Sequence, residues 1–265
     1  MNEIIGYVGA IVMGLSLGLI GGGGSILTVP ILVYLFSIDA VLATAYSLFI
    51  VGSTSLIGSF THMKLGNIHW MTALVFGIPS IVSVFLTRAF LVPALPDPIF
   101  TIGSIVASKS VSLLVLFAVI MLMASWSMIR KQSNVKKEEG EIKYNYPLIL
   151  VEGAVVGVVT GLVGAGGGFL IIPALVLLAK LPMKQAVGTS LIIIASKSLI
   201  GFTGDLKGNE TIDWRFLILF SAIAIVGIVM GSFLSKRISG DKLKPVFGWF
   251  VLVMGTYILV KETIL

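Results

Sequence analysis

The sequence predicts an all-α polytopic membrane protein made of two inverted repeats, each a Gly-rich broken, re-entrant helical hairpin followed by three transmembrane helices. Three observations predict it. First, 57% of the 265 residues are hydrophobic and 11% charged, with mean hydropathy +1.09; soluble domains carry about a quarter charged residues. Second, the chain contains a duplicated half. Third, its Lys and Arg residues fall mostly on one side of a single arrangement of spans. At roughly 20 residues per span the apolar stretches supply about seven to ten membrane segments. They lack the alternating polarity of barrel strands, which excludes a transmembrane β-barrel.

The duplication is read directly from the chain. GLIGGGGSILTVPILVYL (Gly18 to Leu35) aligns without a gap to GLVGAGGGFLIIPALVLL (Gly161 to Leu178), and the register continues through SLFIVGSTSLIG (Ser47 to Gly58) and SLIIIASKSLIG (Ser190 to Gly201). Roughly twenty of about 48 aligned positions are identical, and one inserted residue later Ile68-His69-Trp70 matches Ile212-Asp213-Trp214. Shared membrane composition would not place glycine turns, prolines and tryptophans at one constant offset. The first repeat is therefore 1–129 and the second 147–265. Between them 130–146 is a charged, solvated, cytoplasmic linker.

In each repeat an apolar limb (4–20, 147–163) meets a glycine run, a short limb follows (28–36, 170–180), and three spans come next: 40–60, 69–91 and 111–129, then 183–204, 213–235 and 246–263. Pro30 and Pro173 fit a first helical turn, so the short helices are expected to begin near Thr28 and Ile171. Asp39 and Pro182 mark the next helix starts. Leu91 to Ser110, with Pro93, Pro96 and Pro98, reads as a loop. About nine residues rise roughly 14 Å, so a short limb cannot cross alone. It either returns to the side its partner came from or continues it as one broken span.

The basic residues decide between these. With returning hairpins, Lys64, Arg130, Lys131, Lys136, Lys137, Lys143, Lys180, Lys184, Lys236, Arg237, Lys242 and Lys244 share one side, about twelve against five (Arg88, Lys109, Lys207, Arg215, Lys261). With broken spans the split is about nine against eight. The returning arrangement makes the crossings per half odd, so the halves are inverted, the linker is cytoplasmic and both termini lie outside. Met1-Asn2-Glu3 lacks the basic region of a cleaved signal peptide, so the first apolar segment is expected to be retained.

The chemistry concentrates at the glycine tips. A tight glycine turn followed by a half-helix presents unsatisfied N–H groups and the positive dipole end to the membrane interior, which suits an anion. Candidate substrate contacts are Gly22, Gly23, Gly24 and Ser25 at the first tip and Ala165, Gly166, Gly167 and Gly168 at the second. Gly14/Gly18 and Gly157/Gly161 have the spacing of close helix packing instead. Lys197 is the one cation placed well inside a predicted span, with Thr54 as its first-half equivalent. It either attracts the anion, or snorkels or pairs with Asp205. Ser47, Ser53, Ser190 and Ser196, with Ser55 and Ser198, are candidate hydroxyl donors, unless they bond their own helices. Glu152 is a candidate coupling carboxylate or a solvated residue near the membrane edge.

Other chemistries find little support. Neither glycine run has the GK[ST] or GxGxxG pattern of nucleotide loops. The chain has no cysteine, which excludes disulfides and thiolate metal sites. His62 and His69 without neighbouring acids make no metal site, no catalytic constellation lies at membrane depth, and the net charge of +6 belongs to loops rather than to a nucleic-acid surface. No cofactor is expected.

The paired GLIGGGGSILTVPIL and GLVGAGGGFLIIPAL motifs, with the SL…GS and TSL…SLIG segments, resemble the sulfite exporter TauE/SafE family, the sulfonate uptake permease group, over essentially the whole chain. The resemblance implies a multi-pass plasma-membrane transporter of a small sulfur-containing anion such as sulfite or an organosulfonate, not an enzyme. It places the substrate region at Gly22 to Ser25 and Ala165 to Gly168, where the second copy has alanine for Gly22 and glycine for Ser25. The expected function is a secondary carrier using alternating access at a midplane site. Alternatives are an anion channel, an importer of sulfate or thiosulfate, and a non-transport membrane scaffold. The absence of cysteine argues against a thiol relay for thiosulfate. Beyond the anion, membrane lipid is the expected partner, with a homo-oligomer left open.

Overall fold

The computed structural model describes residues 2–102, 105–129, 146–177, 179–206, 212–235 and 240–264. The chain opens with α1 (Asn2–Ile20), a 3-10 segment (Gly22–Leu27) and α2 (Thr28–Leu35), followed by α3 (Ala40–Lys64) and α4 (Trp70–Leu86). A π segment (Thr87–Leu91) carries α4 into the short α5 (Val92–Ala94). An antiparallel hairpin, β1 (Phe100–Ile102) and β2 (Ile105–Ala107), precedes α6 (Lys109–Ile129). The second half contributes α7 (Tyr146–Val163), α8 (Gly168–Leu177), α9 (Met183–Asp205), α10 (Trp214–Leu234) and α11 (Gly240–Ile264). Among the described residues six helical stretches are long and apolar enough to cross a membrane: α1, α3, α4 through Ala94, α6, α9 and α10.

The local signals act as expected at most boundaries. Asp39 caps α3, its Oδ1 accepting from the Val41 amide at 2.8 Å, and Pro182 sits at the cap of α9. α2 begins at Thr28 with Pro30 in its first turn. α8 begins at Gly168, three residues before the expected Ile171, because the Gly167 carbonyl already accepts from the Leu170 and Ile171 amides at 3.0 and 3.1 Å. The loop expected over 91–110 is in part regular: α5 continues the preceding span, β1 and β2 pair within it, and α6 begins at Lys109. The linker cluster at 130–143, and Lys207, Lys236 and Arg237, lie outside the described residues.

α2 folds back along α1. Gly24 lies against the backbone at Met13 and Leu17, Gly9 against Ile31, and Gly6 against Phe36, whose ring meets Tyr7 edge-on at 5.3 Å. The chain thus returns to the end of the bundle from which α1 started. The two limbs are unequal: α1, at 19 residues, rises about 28 Å, and its Gly18 reaches Ser232 near the end of α10. In the second hairpin, Ile149 and Val156 of α7 share one buried apolar cluster with Ile171 and Leu175 of α8.

The helices pack in pairs that survive exchange of the halves. α1 lies along α10 and α7 along α4; α3 packs on α10 and α9 on α4; α3 crosses α9, and α6 packs on α11. Small residues make the close pairs possible. A side chain at Gly14 or Gly18 would strike the α10 backbone and one at Gly157 the α4 backbone, while one at Gly161 would strike the Thr87 side chain; both expected pairs lie in close helix contacts, and Gly153 adds a third small residue on the α4 face of α7. The correspondence extends to single hydrogen bonds. The His69 amide donates to Thr189 Oγ1 at 2.9 Å, and at the equivalent place the Asp213 amide donates to Tyr46 Oη at 2.7 Å. His69 and Asp213 in turn cap α4 and α10 through their side chains.

Candidate functional site

The two glycine tips meet inside the bundle. Gly22 and Gly168 touch backbone to backbone, so closely that a Cβ on either would overlap the other. Val51 of α3 and Ile194 of α9, both near mid-helix, flank them, and Ser25 faces Gly166. The tips overlap side by side instead of abutting: Gly21 reaches Val187, one turn from the start of α9, while Gly164 reaches Thr44, one turn from the start of α3.

The turns differ in chemistry. Gly164, Gly166 and Gly167 have φ of +73°, +64° and +63°, and Gly21 has +76°, the left-handed region that favours glycine. Such a run lets the second tip reverse direction within four residues, with Ala165 buried between the glycines. In the first tip the chain passes from Gly21 straight into the 3-10 segment with no side chain capping it, so its leading amides have no intrahelical acceptor. Ser25 turns inward, its Oγ donating to the Gly22 carbonyl at 2.7 Å.

Lys197 is fully buried beside the second tip. Its Nζ donates to Thr160 Oγ1 at 2.9 Å, and a Cβ built on Gly167 would stand 2.9 Å from that nitrogen. An ammonium has three donors, and among the described residues Thr160 is its one hydrogen-bond partner. The charge is therefore held at the tip with most of its bonding capacity unspent. The alternative pairing with Asp205 does not form; that carboxylate belongs to Arg88.

The hydroxyls divide by helix face. Ser53 donates to the Phe49 and Ile50 carbonyls at 2.8 and 3.0 Å, Ser196 to Ile192 at 2.9 Å and Ser190 to Val187 at 2.8 Å. Ser47, Thr54, Ser55 and Ser198 are buried, and among the described residues their hydroxyls have no partner. Thr54, the counterpart of Lys197, joins this unsatisfied set. Glu152 is half-buried on α7, two turns before Thr160, and is not part of the tip cluster.

Arg88 corrects the charge map. Counted from the sequence among loop cations, it is 1% exposed, in the π segment that extends α4. Its Nε donates to both Asp205 oxygens at 2.8 and 2.9 Å, and its Nη1 to Thr44 Oγ1 at 2.9 Å and to the Gly161 carbonyl at 3.2 Å. Burial is tolerated because the guanidinium meets a carboxylate and two further acceptors. The sequence signal was present: the apolar stretch runs on to Ala94, which puts Arg88 well inside its end. π segments of this kind are frequent at functional sites.

Comparison with known proteins places the whole chain. The profile of the family described as "Sulfite exporter TauE/SafE" matches residues 7–258. A probable membrane transporter protein of Methanocaldococcus jannaschii is 30% identical over 270 residues, 97% of this chain and 93% of the relative. One of Xylella fastidiosa is 29% identical over 93% of this chain and 91% of the relative. Probable membrane transporter protein YunE of Bacillus subtilis is 24% identical over 96% and 97%. No solved structure gives a significant match.

Proposed function

The chain belongs to the sulfite exporter TauE/SafE family of membrane transporters, and from that premise we propose that it is a secondary carrier for a small sulfur-containing oxyanion, sulfite or an organosulfonate, across the plasma membrane. One observation carries the reading: a fully buried ammonium, Lys197, held by a single hydroxyl against a glycine turn. An unpaired cation at membrane depth is costly. An oxyanion beside it would supply both the opposite charge and acceptors for its remaining N–H groups. The amides of the first tip and the unsatisfied Thr54, Ser55 and Ser198 hydroxyls are the other donors within the same central region.

Alternating access fits the packing. The repeats 1–129 and 147–265 are read as inverted about an axis in the membrane plane, with 130–146 cytoplasmic and both termini outside. The folding back of α2, the exchange-symmetric helix pairs and the excess of basic residues in one set of loops support this. Because the tips overlap, opening toward either face requires one tip to withdraw from the other. That supports a carrier over a continuously open channel.

Proteoliposomes provide the test. Saturable sulfite or sulfonate uptake with counterflow is expected. Lys197→Met should lower it about ten- to a hundred-fold, the worth of one charge-assisted hydrogen bond of roughly 1.5–3 kcal/mol. Wild-type flux from a well-folded Lys197→Met protein would rule the site out.

A further inference from the structure

A second group of charges lies outside the tip cluster. At the Arg88 end of the bundle a cavity of about 190 Å³ is lined by Arg88, Asp205 and Lys109 and by apolar side chains including Val41 and Ala45. One water needs about 10–15 Å³, so there is room for an ion of several heavy atoms. The Lys109 ammonium, half-buried at the start of α6, has no hydrogen-bond or ion-pair partner among the described residues. Arg88 Nη2 lies against Asp205 Oδ1 without an aligned hydrogen bond. The cavity wall thus carries two cations and one carboxylate, and the carboxylate occupies the guanidinium fork that two oxygens of an oxyanion would fit.

Contacts of the Arg88 side chain connect the cavity wall to the tip. Arg88 binds Thr44 and the Gly161 carbonyl, and Thr44 packs on Gly164 at the start of the second glycine turn. Asp205 is eight residues beyond Lys197 on α9, about 12 Å. Lys109, Arg88 and Lys197 therefore form a series of cations from the cavity inward. At the other end of the bundle the register of the repeats puts Ser232 in the place of Arg88 and His62 in the place of Asp205. Both are buried, and His62 Nδ1 and Ser232 Oγ have no partner among the described residues, so that end has no such ion pair.

We propose that the cavity is an oxyanion access site, in which a small sulfur oxyanion bridges Lys109 and Arg88 by displacing Asp205 from the guanidinium, before passing to Lys197. The inference rests on the anion-transport reading. Asp205 is then the competitor that empties the site as the ion moves on.

The test is equilibrium binding of radiolabelled sulfite, sulfate and thiosulfate to the full chain in nanodiscs, in the Lys197→Met background so that the cavity is read apart from the tip. Lys109→Gln should weaken binding about three- to ten-fold. Asp205→Asn should tighten it by a similar factor, because it frees the guanidinium from its internal competitor. A purely structural ion pair predicts no tightening. Unchanged affinity in Lys109→Gln, weaker binding in Asp205→Asn, or no binding of any probe in the Lys197→Met background overturns the site. Lys109→Gln alone decides if Asp205→Asn does not fold, since the Lys109 ammonium makes no hydrogen bond or ion pair within the described residues. Saturable wild-type flux together with an unresponsive Lys109→Gln rejects the cavity and leaves the transport reading standing. The expected binding pattern without any flux does the reverse.

Discussion

Arg88 and Asp205 hold each other in place from positions 117 residues apart, and removing one strands the other. Arg88→Met leaves a carboxylate, 15% exposed in its side chain, without its ion-pair partner, and is expected to cost about 3–5 kcal/mol of stability. The double variant Arg88→Met/Asp205→Leu should recover most of that loss. Thermal unfolding of the purified proteins checks both, and a double variant no more stable than the single would show that the pair is not the source of the cost. A charge in the middle of an uninterrupted apolar run declares itself, as Lys197 does. One near the end of a run looks like an interfacial residue, as Arg88 did, until its span is found to continue. Partners are not written locally at all: Thr160, which holds Lys197, sits in an ordinary stretch of α7. Which serine of SLFIVGSTSLIG faces the interior depends on the rotation of α3, and packing against α9 and α10 fixes that.

The glycine tips behave as single elements whose shape depends on the absence of side chains. Gly22→Ala and Gly168→Ala each drive a methyl into the opposing tip backbone, and neither neighbour is the movable end of a side chain. Either change is expected to abolish sulfite uptake while the protein still inserts. Gly66 offers the contrast. Its φ is +67° but nothing lies within 4 Å of an added Cβ, so Gly66→Ala should cost only about 1–2 kcal/mol of backbone strain and retain uptake. Equal losses in all three variants, by flux per folded protein, would show that the tips have no special role. The duplicated motif made both tips legible, because repetition at a fixed offset separates required glycines from incidental ones. Their internal form was not legible. The 3-10 course of Gly22–Leu27 and the early start of α8, set by the Gly167 carbonyl accepting from the Leu170 and Ile171 amides, are backbone choices that glycine leaves open and that the motifs do not specify.

At the scale of the molecule, the exchange of halves makes a prediction about sidedness. Epitopes placed within 130–146 and after Leu265 should report opposite faces of the membrane in accessibility labelling; the same face for both would refute the inverted arrangement. Most of the helix ends were readable to within about three residues because long runs, caps and prolines set them locally, the start of α11 at Gly240 being an exception. The pairing of β1 with β2 was not readable, because it lies in a stretch whose three prolines read as a loop.

The near-equivalence of the halves, down to the matched His69/Thr189 and Asp213/Tyr46 bonds, also bears on energetics. In the proposed inverted-repeat carrier, identical repeats would make the conformation open to one face and the one open to the other the same structure viewed from opposite sides, and the two would be equally populated. Every bias between them must then arise where the copies differ. Arg88 and Asp205, set against Ser232 and His62, are the most highly charged of those differences, and each 1.4 kcal/mol they contribute shifts the resting population about ten-fold toward one face.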